Sequence, residues 1–493
     1  MLLFDEILVR ERKSVNSKTL TYTGLVDYGE GDEHCSELAN HALVFMFCPF
    51  GDSYAQPIGV FASKGTTRAT VLNQLVLQVI IMLENAGALV DGIVCDGAAT
   101  NRKMWTHLGV SGKLDEAKNF FEHPVNEDRK VFAFSDVPHL FKCIRNRLLK
   151  QRLLKVNGQW VKWNLYTAVY KEDCKNAGGL KVCPKITEHH IYPSKMELMR
   201  VKLATQVFSR SMCSGIKFYA DQKVLNLQEA PGTIAFTERM NNLFDSMNRR
   251  HPIEGVRHGS RDLTMIRDSI QWLGDWEWEL QLGAIMKEMF LTPTTAEGLR
   301  VTMLSTLALT EYLLSKCDYK YVLTAKFNQD PLERFFGKAR QAACDNDHPD
   351  IPTFLQLYRM LSVYSLLKPP RFGNCEVIEE KPALDLSEFR KIFQKADNDP
   401  SHLKQLKAKL DGLVESEDFS KNMDEYDVFW GTVDHVLQNF DLTFPCREHK
   451  NDAVAKILHY YVGMRMRQHC SSEARNRQKM AQEKKKLSRL AKD

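Results

Sequence analysis

The chain has 493 residues, of which 44% are hydrophobic and 26% charged, ordinary globular values that suit about two to four domains with ample core. A net charge of +5 is too small to argue for nucleic acid on its own, and no run approaches the roughly 18 consecutive apolar residues of a membrane-spanning helix. The 12 cysteines are scattered without a Cys-x-x-Cys pair, as expected of free thiols in a reducing compartment.

Met1-Leu-Leu-Phe-Asp-Glu-Ile7 enters strand-like sequence at once, with no targeting region ahead of it. Residues 20–28, 41–50 and 56–63 read as three short β-rich runs broken by Gly, Asp and Pro. Thr67 to Ala86 carries helical spacing and stops at Gly87. Leu89 to Cys95 is a buried strand and Val131 to Phe134 another, followed by a basic helix through Leu154. Three strands, a helix, a strand, a helix and a further strand make an α/β chain in the order of the RNase H-like fold. Its first and fourth strands lie side by side. With 20–28 as the first strand, Asp27 would stand beside Asp96.

About 240 residues separate Asp96 from Glu333, too many for a structureless loop in a compact protein. The core is therefore expected in two pieces, 1–154 and 326–370, around an inserted domain at 155–325. Apolar spacing near 3.6 makes the insertion mainly helical, over Pro193 to Tyr219, Thr237 to Arg249, Leu263 to Leu282 and Thr294 to Lys316. Thr353 to Leu367 closes the core before Pro369-Pro370, and 371–493 reads as a helical C-terminal region with an acidic middle and a basic tail.

Three acids carry the chemistry of interest. Asp27 lies in Thr23-Gly-Leu-Val-Asp-Tyr-Gly29, Asp96 ends the apolar run Gly92-Ile-Val-Cys-Asp96, and Glu333 lies in Asn328-Gln-Asp-Pro-Leu-Glu-Arg-Phe-Phe-Gly-Lys338. Two strand-borne aspartates and a helix-borne glutamate are the parts of a two-metal site, whose hard oxygens hold ions roughly 3.5–4 Å apart. Each has a plainer reading. Asp27 suits a turn and competes with Asp5, also on a strand-like run. Asp96 suits a helix N-cap, and Glu333 the third position of a helix capped by Asp330 with Pro331 next. Asp27 is preferred over Asp5 because two strands and a helix follow it before Asp96. Ser135-Asp-Val-Pro-His-Leu-Phe-Lys-Cys-Ile-Arg-Asn146 makes His139 either a DNA contact or a core histidine fixed by Asp136. The basic run Lys142 to Lys155, Arg334, Lys338 and Arg340, and the tail beyond Arg465 either meet phosphates or form solvated faces.

From about residue 1 to 370 these motifs resemble the P element-type transposases, including relatives that carry a zinc-binding THAP domain. The resemblance implies a DDE-type DNA transposase, nuclear and homo-oligomeric, acting on transposon ends and target DNA with two Mg²⁺ ions on Asp27, Asp96 and Glu333. It also implies a guanine-nucleotide-binding insertion with GTP as a non-hydrolysed cofactor, although the chain has no Gly-x-x-x-x-Gly-Lys-[Ser/Thr] loop. By the same resemblance Lys202 would neutralise phosphate, Ser211 offer a hydroxyl, Asp245 and Asn248 face the nucleotide one helical turn apart, and Asp330 reach in from the core. The THAP domain and coiled coil expected ahead of the core are not seen, which suits a fragment or a product without its front domain. A rival reading is a catalytically silent DNA- or protein-binding factor that keeps the fold.

Overall fold

The computed structural model describes residues 1–15, 22–29, 37–52, 54–175, 181–224, 229–342 and 349–366. All lie in one compact unit, Met1–Glu376. The region 371–493, expected to be helical, lies outside the described residues.

The first part of the chain runs β1 (Leu2–Leu8), β2 (Ser14–Val15), β3 (Tyr22–Thr23), β4 (His41–Phe47), β5 (Gln56–Ser63), α1 (Ala69–Asn85), β6 (Gly92–Cys95), α2 (Ala99–His107), β7 (Phe120–Glu122), β8 (Lys130–Ser135) and α3 (Val137–Gln151). Six of these strands form one sheet in the order β5-β4-β1-β6-β8-β7. β1 pairs antiparallel with β4 and parallel with β6, and β6 pairs parallel with β8.

The first strand of the sheet is thus Leu2–Leu8, and the expected strand at 20–28 is corrected. β1 is apolar on both faces, as a central strand must be: Leu2 and Phe4 enter one core, Leu3 and Ile7 the other. Residues 22–29 cannot continue as a strand, because Gly24 and Gly29 take φ of +95° and +96°. They leave a two-residue hairpin with Ser14–Val15 and an isolated bridge from Asp27 to Ala62 on the edge strand.

The insertion contains β9 (Leu153–Val156) and β10 (Gln159–Lys162), α4 (Trp163–Lys175), α5 (Glu188–Ile191), α6 (Val201–Val207), α7 (Arg210–Asp221), α8 (Ala230–Ser246), α9 (Arg261–Gln281) and α10 (Pro293–Lys316). The helix expected over Pro193 to Tyr219 is broken in two, because Ser209 leaves the helix and caps α7 by accepting from the Met212 amide at 3.3 Å. Trp163, Tyr166, Phe208, Phe236, Trp276 and Phe290 centre the insertion's core, which also takes Phe141, Ile144 and Leu148 of α3. The edges expected at 154 and 325 are therefore not packing boundaries. α3 serves the insertion, while α10 serves both sides. Its Leu299 and Met303 lie in the insertion core, and Leu309 and Leu313 in a sheet-face core. Its Ser305 hydroxyl bonds the Ala133 carbonyl of β8 at 2.6 Å.

The chain returns through α11 (Asp330–Ala342) and α12 (Ile351–Leu366). Leu332, Phe335, Phe336 and Phe354 join Leu3, Ile7, Val94 and Phe134 on one face of the sheet. Leu72, Val76 and Ile80 of α1 and Met104 and Trp105 of α2 cover the other.

One buried carboxylate fixes this return. Asp136, 2% exposed, caps α3 by accepting from the His139 amide at 2.9 Å, and its other oxygen accepts from the Gln329 amide at 2.9 Å. Gln329 in turn donates its side-chain amide to the Phe4 carbonyl of β1 at 2.8 Å. Asp136→Ala strands two N–H groups and removes a cap, an expected loss of about 2–4 kcal/mol. Denaturant unfolding measures it; a loss below about 1 kcal/mol would mean that α11 does not depend on this clamp.

Candidate active site

In the parallel β1–β6 pair, Leu2 sits opposite Ile93 and Leu3 opposite Val94. Continuing that register two residues sets Asp5 opposite Asp96. Alternation along each strand puts Asp5 on the face of Leu3 and Ile7, and Asp96 on the face of Val94. α11, which bears Glu333, packs on this same face. Asp5 and Asp96 thus share the face of the sheet that the helix of Glu333 covers.

Asp27 is not among them. Its backbone exchanges two hydrogen bonds with Ala62 of β5, at 2.9 and 3.1 Å. It therefore lies outside the edge strand, four strand spacings from β6, or roughly 19 Å. Its carboxylate instead accepts from the Gly29 amide at 2.9 Å, the turn role that sequence also allowed. Asp5 takes the place expected of Asp27. The missed signal was the two-sided apolar pattern of Leu2–Leu8, which marks a central strand rather than a lead-in.

Asp5 and Asp96 are oriented alike. Asp5 Oδ1 accepts from the Glu6 amide at 2.8 Å; Asp96 Oδ1 accepts from the Ala98 amide at 2.9 Å and from Asn101 Nδ2 at 2.6 Å. Among the described residues no hydrogen bond reaches either Oδ2, which leaves one open oxygen on each. Burial first, then the charge of Asp96, pushes the Asp5 carboxyl up to about 8, and Glu333 adds to the repulsion. Glu333 is exposed, and its carboxyl is raised by partial burial and then by Asp330, with Lys142 and Arg340 opposing. Two aspartates with an open oxygen each and a glutamate on the helix above them offer a hard donor set that suits a divalent cation. Among the described residues no three such side chains are already gathered at ligating distance.

Of the residues expected around a nucleotide, Asp245, Asn248 and Asp330 each have a described side-chain partner, in three separate contacts. Asn241 of α8 donates to Asp245 Oδ2 at 3.0 Å and accepts from the Arg210 amide at 2.9 Å, next to Ser211 at the start of α7. Asn248 accepts from Asn328 Nδ2 at 3.0 Å, and Asp330 Oδ2 accepts from Arg250 at 2.6 Å. Two expectations are corrected. α8 ends at Ser246, so Asp245 and Asn248 do not share a helix face, and Asn248 turns to the core segment instead. Asp330 opens α11, but its carboxylate binds Arg250 and the Gln329 carbonyl takes the Leu332 and Glu333 amides. Lys202 is exposed on α6, and no described hydrogen bond or ion pair joins it to this group.

A sheet of this order, with an acid on each of two central strands and a helical body spliced in before the return helix, defines an RNase H-like fold with an insertion domain. Family comparisons agree. The TNP-like RNase H N-terminal domain matches residues 1–109, the TNP-like GTP-binding insertion domain 138–258, and the TNP-like RNase H C-terminal domain 325–359. The chain belongs to the P element-type transposase family. It is 32% identical over 271 residues to the transposable element P transposase of Drosophila melanogaster, covering 54% of this chain and 34% of that protein. It is 24% identical over 410 residues to the DNA transposase THAP9 of Homo sapiens, covering 79% of this chain and 43% of that protein. The solved Drosophila P element transposase strand transfer complex is similar at 26% identity and a TM-score of 0.60, over 73% of this chain and 76% of that one. The chain thus spans less than half the length of the curated relatives it matches.

The carboxylate group makes metal-free stability depend on pH. Asp5 unfolded titrates near 3.9 and folded at about 8, so between those values the native state holds the extra proton. Asp136, pushed by burial up to about 7, acts in the same direction. Their contribution is whole below about pH 4 and is lost as pH rises through 8. In EDTA the melting temperature should therefore fall from pH 5 to 8, and Asp5→Asn should remove much of that slope. Mg²⁺ should raise the melting temperature more at pH 8 than at pH 6. An equal Mg²⁺ shift in the wild type and the Asp5→Asn protein would exclude Asp5 from a cation site.

Proposed function

We propose that this chain cuts and joins DNA, with Asp5, Asp96 and Glu333 as the holders of two Mg²⁺ ions and GTP as a non-hydrolysed cofactor of the insertion. The observation that carries this reading is the β1–β6 register, Leu3 opposite Val94, which carried on two residues brings Asp5 to Asp96 on the face that the helix of Glu333 covers. When bound, such ions activate a water or 3′-hydroxyl nucleophile and stabilise the leaving oxygen. The protein's own part is positioning. Asn101 and the Ala98 amide hold Asp96 by one oxygen and leave the other unbonded among the described residues, and Asp136 through Gln329 sets the helix of Glu333. Arg334, Lys338 and Arg340, exposed on α11, are placed to meet the DNA backbone.

The similarity to a solved strand transfer complex supports DNA as the partner, and the names of both curated relatives support transposition. We take the protein to act in the nucleus, as a homo-oligomer. For the insertion, the matched GTP-binding domain supports a nucleotide site, and the Asn241–Asp245 and Arg250–Asp330 contacts hold two of its expected residues in place. Asp245 is suited to accept two N–H bonds from a guanine edge, where adenine offers an acceptor instead. Ser211 and Lys202 are assigned to the phosphates. Because Asn248 and Asp330 tie the end of α8 to the entry of α11, nucleotide there would bear on the helix of Glu333.

Two measurements test this. Asp5→Asn and Asp96→Asn should each lower metal-dependent cleavage of a branched duplex by on the order of 10³-fold with binding kept, while Asp27→Asn cuts normally. Full activity in Asp5→Asn, or loss in Asp27→Asn, would overturn the assignment of acids. Asp245→Ala should weaken GTP about tenfold or more and leave ATP nearly unchanged, read by calorimetry. Equal losses for both nucleotides would remove Asp245 from guanine recognition.

A further inference from the structure

α3 begins where β6 ends. The Asp136 amide donates to the Cys95 carbonyl at 3.0 Å, so the first turn of α3 lies beside Asp96, while Asp136 also holds Gln329 just ahead of Glu333. The first two turns of α3 carry His139 and Lys142, three residues apart and so on one helix face. The Lys142 ammonium is felt at Glu333, and Asp96 is felt at His139. Lys142 is only 8% exposed, yet among the described residues no carboxylate lies within ion-pair distance of its ammonium. Its one described partner is His139 Nδ1, at 3.5 Å. A side chain so largely covered, whose ammonium has three donors and one long contact, leaves donors free for a further acceptor.

We propose that Lys142, backed by His139, grips a non-bridging oxygen of the DNA phosphate lying across Asp5, Asp96 and Glu333. The inference rests on the DNA reading above and deepens it. The ions proposed for the acids answer their charge, and Lys142 adds a fixed donor at their edge that does not depend on the metal. When Nδ1 of His139 accepts from Lys142, the ring proton stands on Nε2, a second donor. The pair thus offers N–H groups to a phosphate from the helix turn beside Asp96. The basic cluster of the sequence divides accordingly. Arg145 is fully buried and bonds the Leu198 carbonyl at 3.2 Å, and Arg147 bonds the Phe290 carbonyl at 2.8 Å, so both are structural. Of Lys142, Arg145 and Arg147, Lys142 alone has no such structural bond to a carbonyl among the described residues.

The test uses the full chain and a branched duplex oligonucleotide, with Ca²⁺ for binding and Mg²⁺ for cleavage. Lys142→Met should reduce the slope of log affinity against log salt by about one, the signature of a lost phosphate contact, and Lys142→Arg should keep it. Cleavage by Lys142→Met should fall about 10²-fold, with a melting temperature close to that of the wild type. An unchanged salt slope, even with slower cleavage, would overturn the proposal and leave Lys142 as a counter-ion of Glu333. Should Lys142→Met not fold, Lys142→Gln carries the same slope test. A wild-type protein that neither binds nor cuts the duplex would sink the DNA reading itself, and this inference with it.

Discussion

The arrangement depends on one buried carboxylate with two obligations. Asp136 must cap α3 and also receive the amide of a residue almost 200 positions later in the chain. Neither bond is strong alone, but the acceptor and the Gln329 donor are buried and that amide cannot turn to water. The insertion between them is free to vary in shape only if its ends come back to this point. Gln329 extends the constraint to the Phe4 carbonyl, one residue before Asp5. A single network therefore sets the positions of β1, α3 and α11, the three elements that carry Asp5, Lys142 and Glu333.

The acid site itself is unfavourable as it stands. Burial and mutual repulsion raise the Asp5 carboxyl, and the sheet tolerates this because the strands beneath are held by ladder bonds and a two-faced core. Free energy lost to gathering like charges is regained only when a cation or a proton arrives. Such strain at a site, offset by packing elsewhere, is what a poised binding centre is expected to show.

Much of this was legible in the sequence. The strands at 41–47 and 56–63, the helix at 69–85, the buried strand before Asp96 and the return helix with Glu333 follow from period and punctuation. The need for an insertion followed from distance alone. Asp27 failed for a physical reason: a short β-rich stretch rich in Gly satisfies the element count as well as a true strand does. What separates them is partnership, since Leu2–Leu8 must be apolar on both faces to lie centrally. The partners of Asn248 and Asp330 were equally out of reach, because the bonds that occupy them join residues about 80 positions apart. Pattern reports which face a residue takes, not which distant side chain meets it.

The sheet's dependence on late elements also has a consequence in time. All of its strands are complete by Ser135, yet the face of Leu3, Ile7 and Val94 is covered by Leu309, Leu332, Phe336 and Phe354. On a ribosome adding about 5–20 residues each second, that apolar face waits on the order of 10–40 s for its cover. The nascent chain must therefore carry an open half-core throughout synthesis of the insertion. The length of the insertion, not the stability of the finished fold, sets how long that face waits.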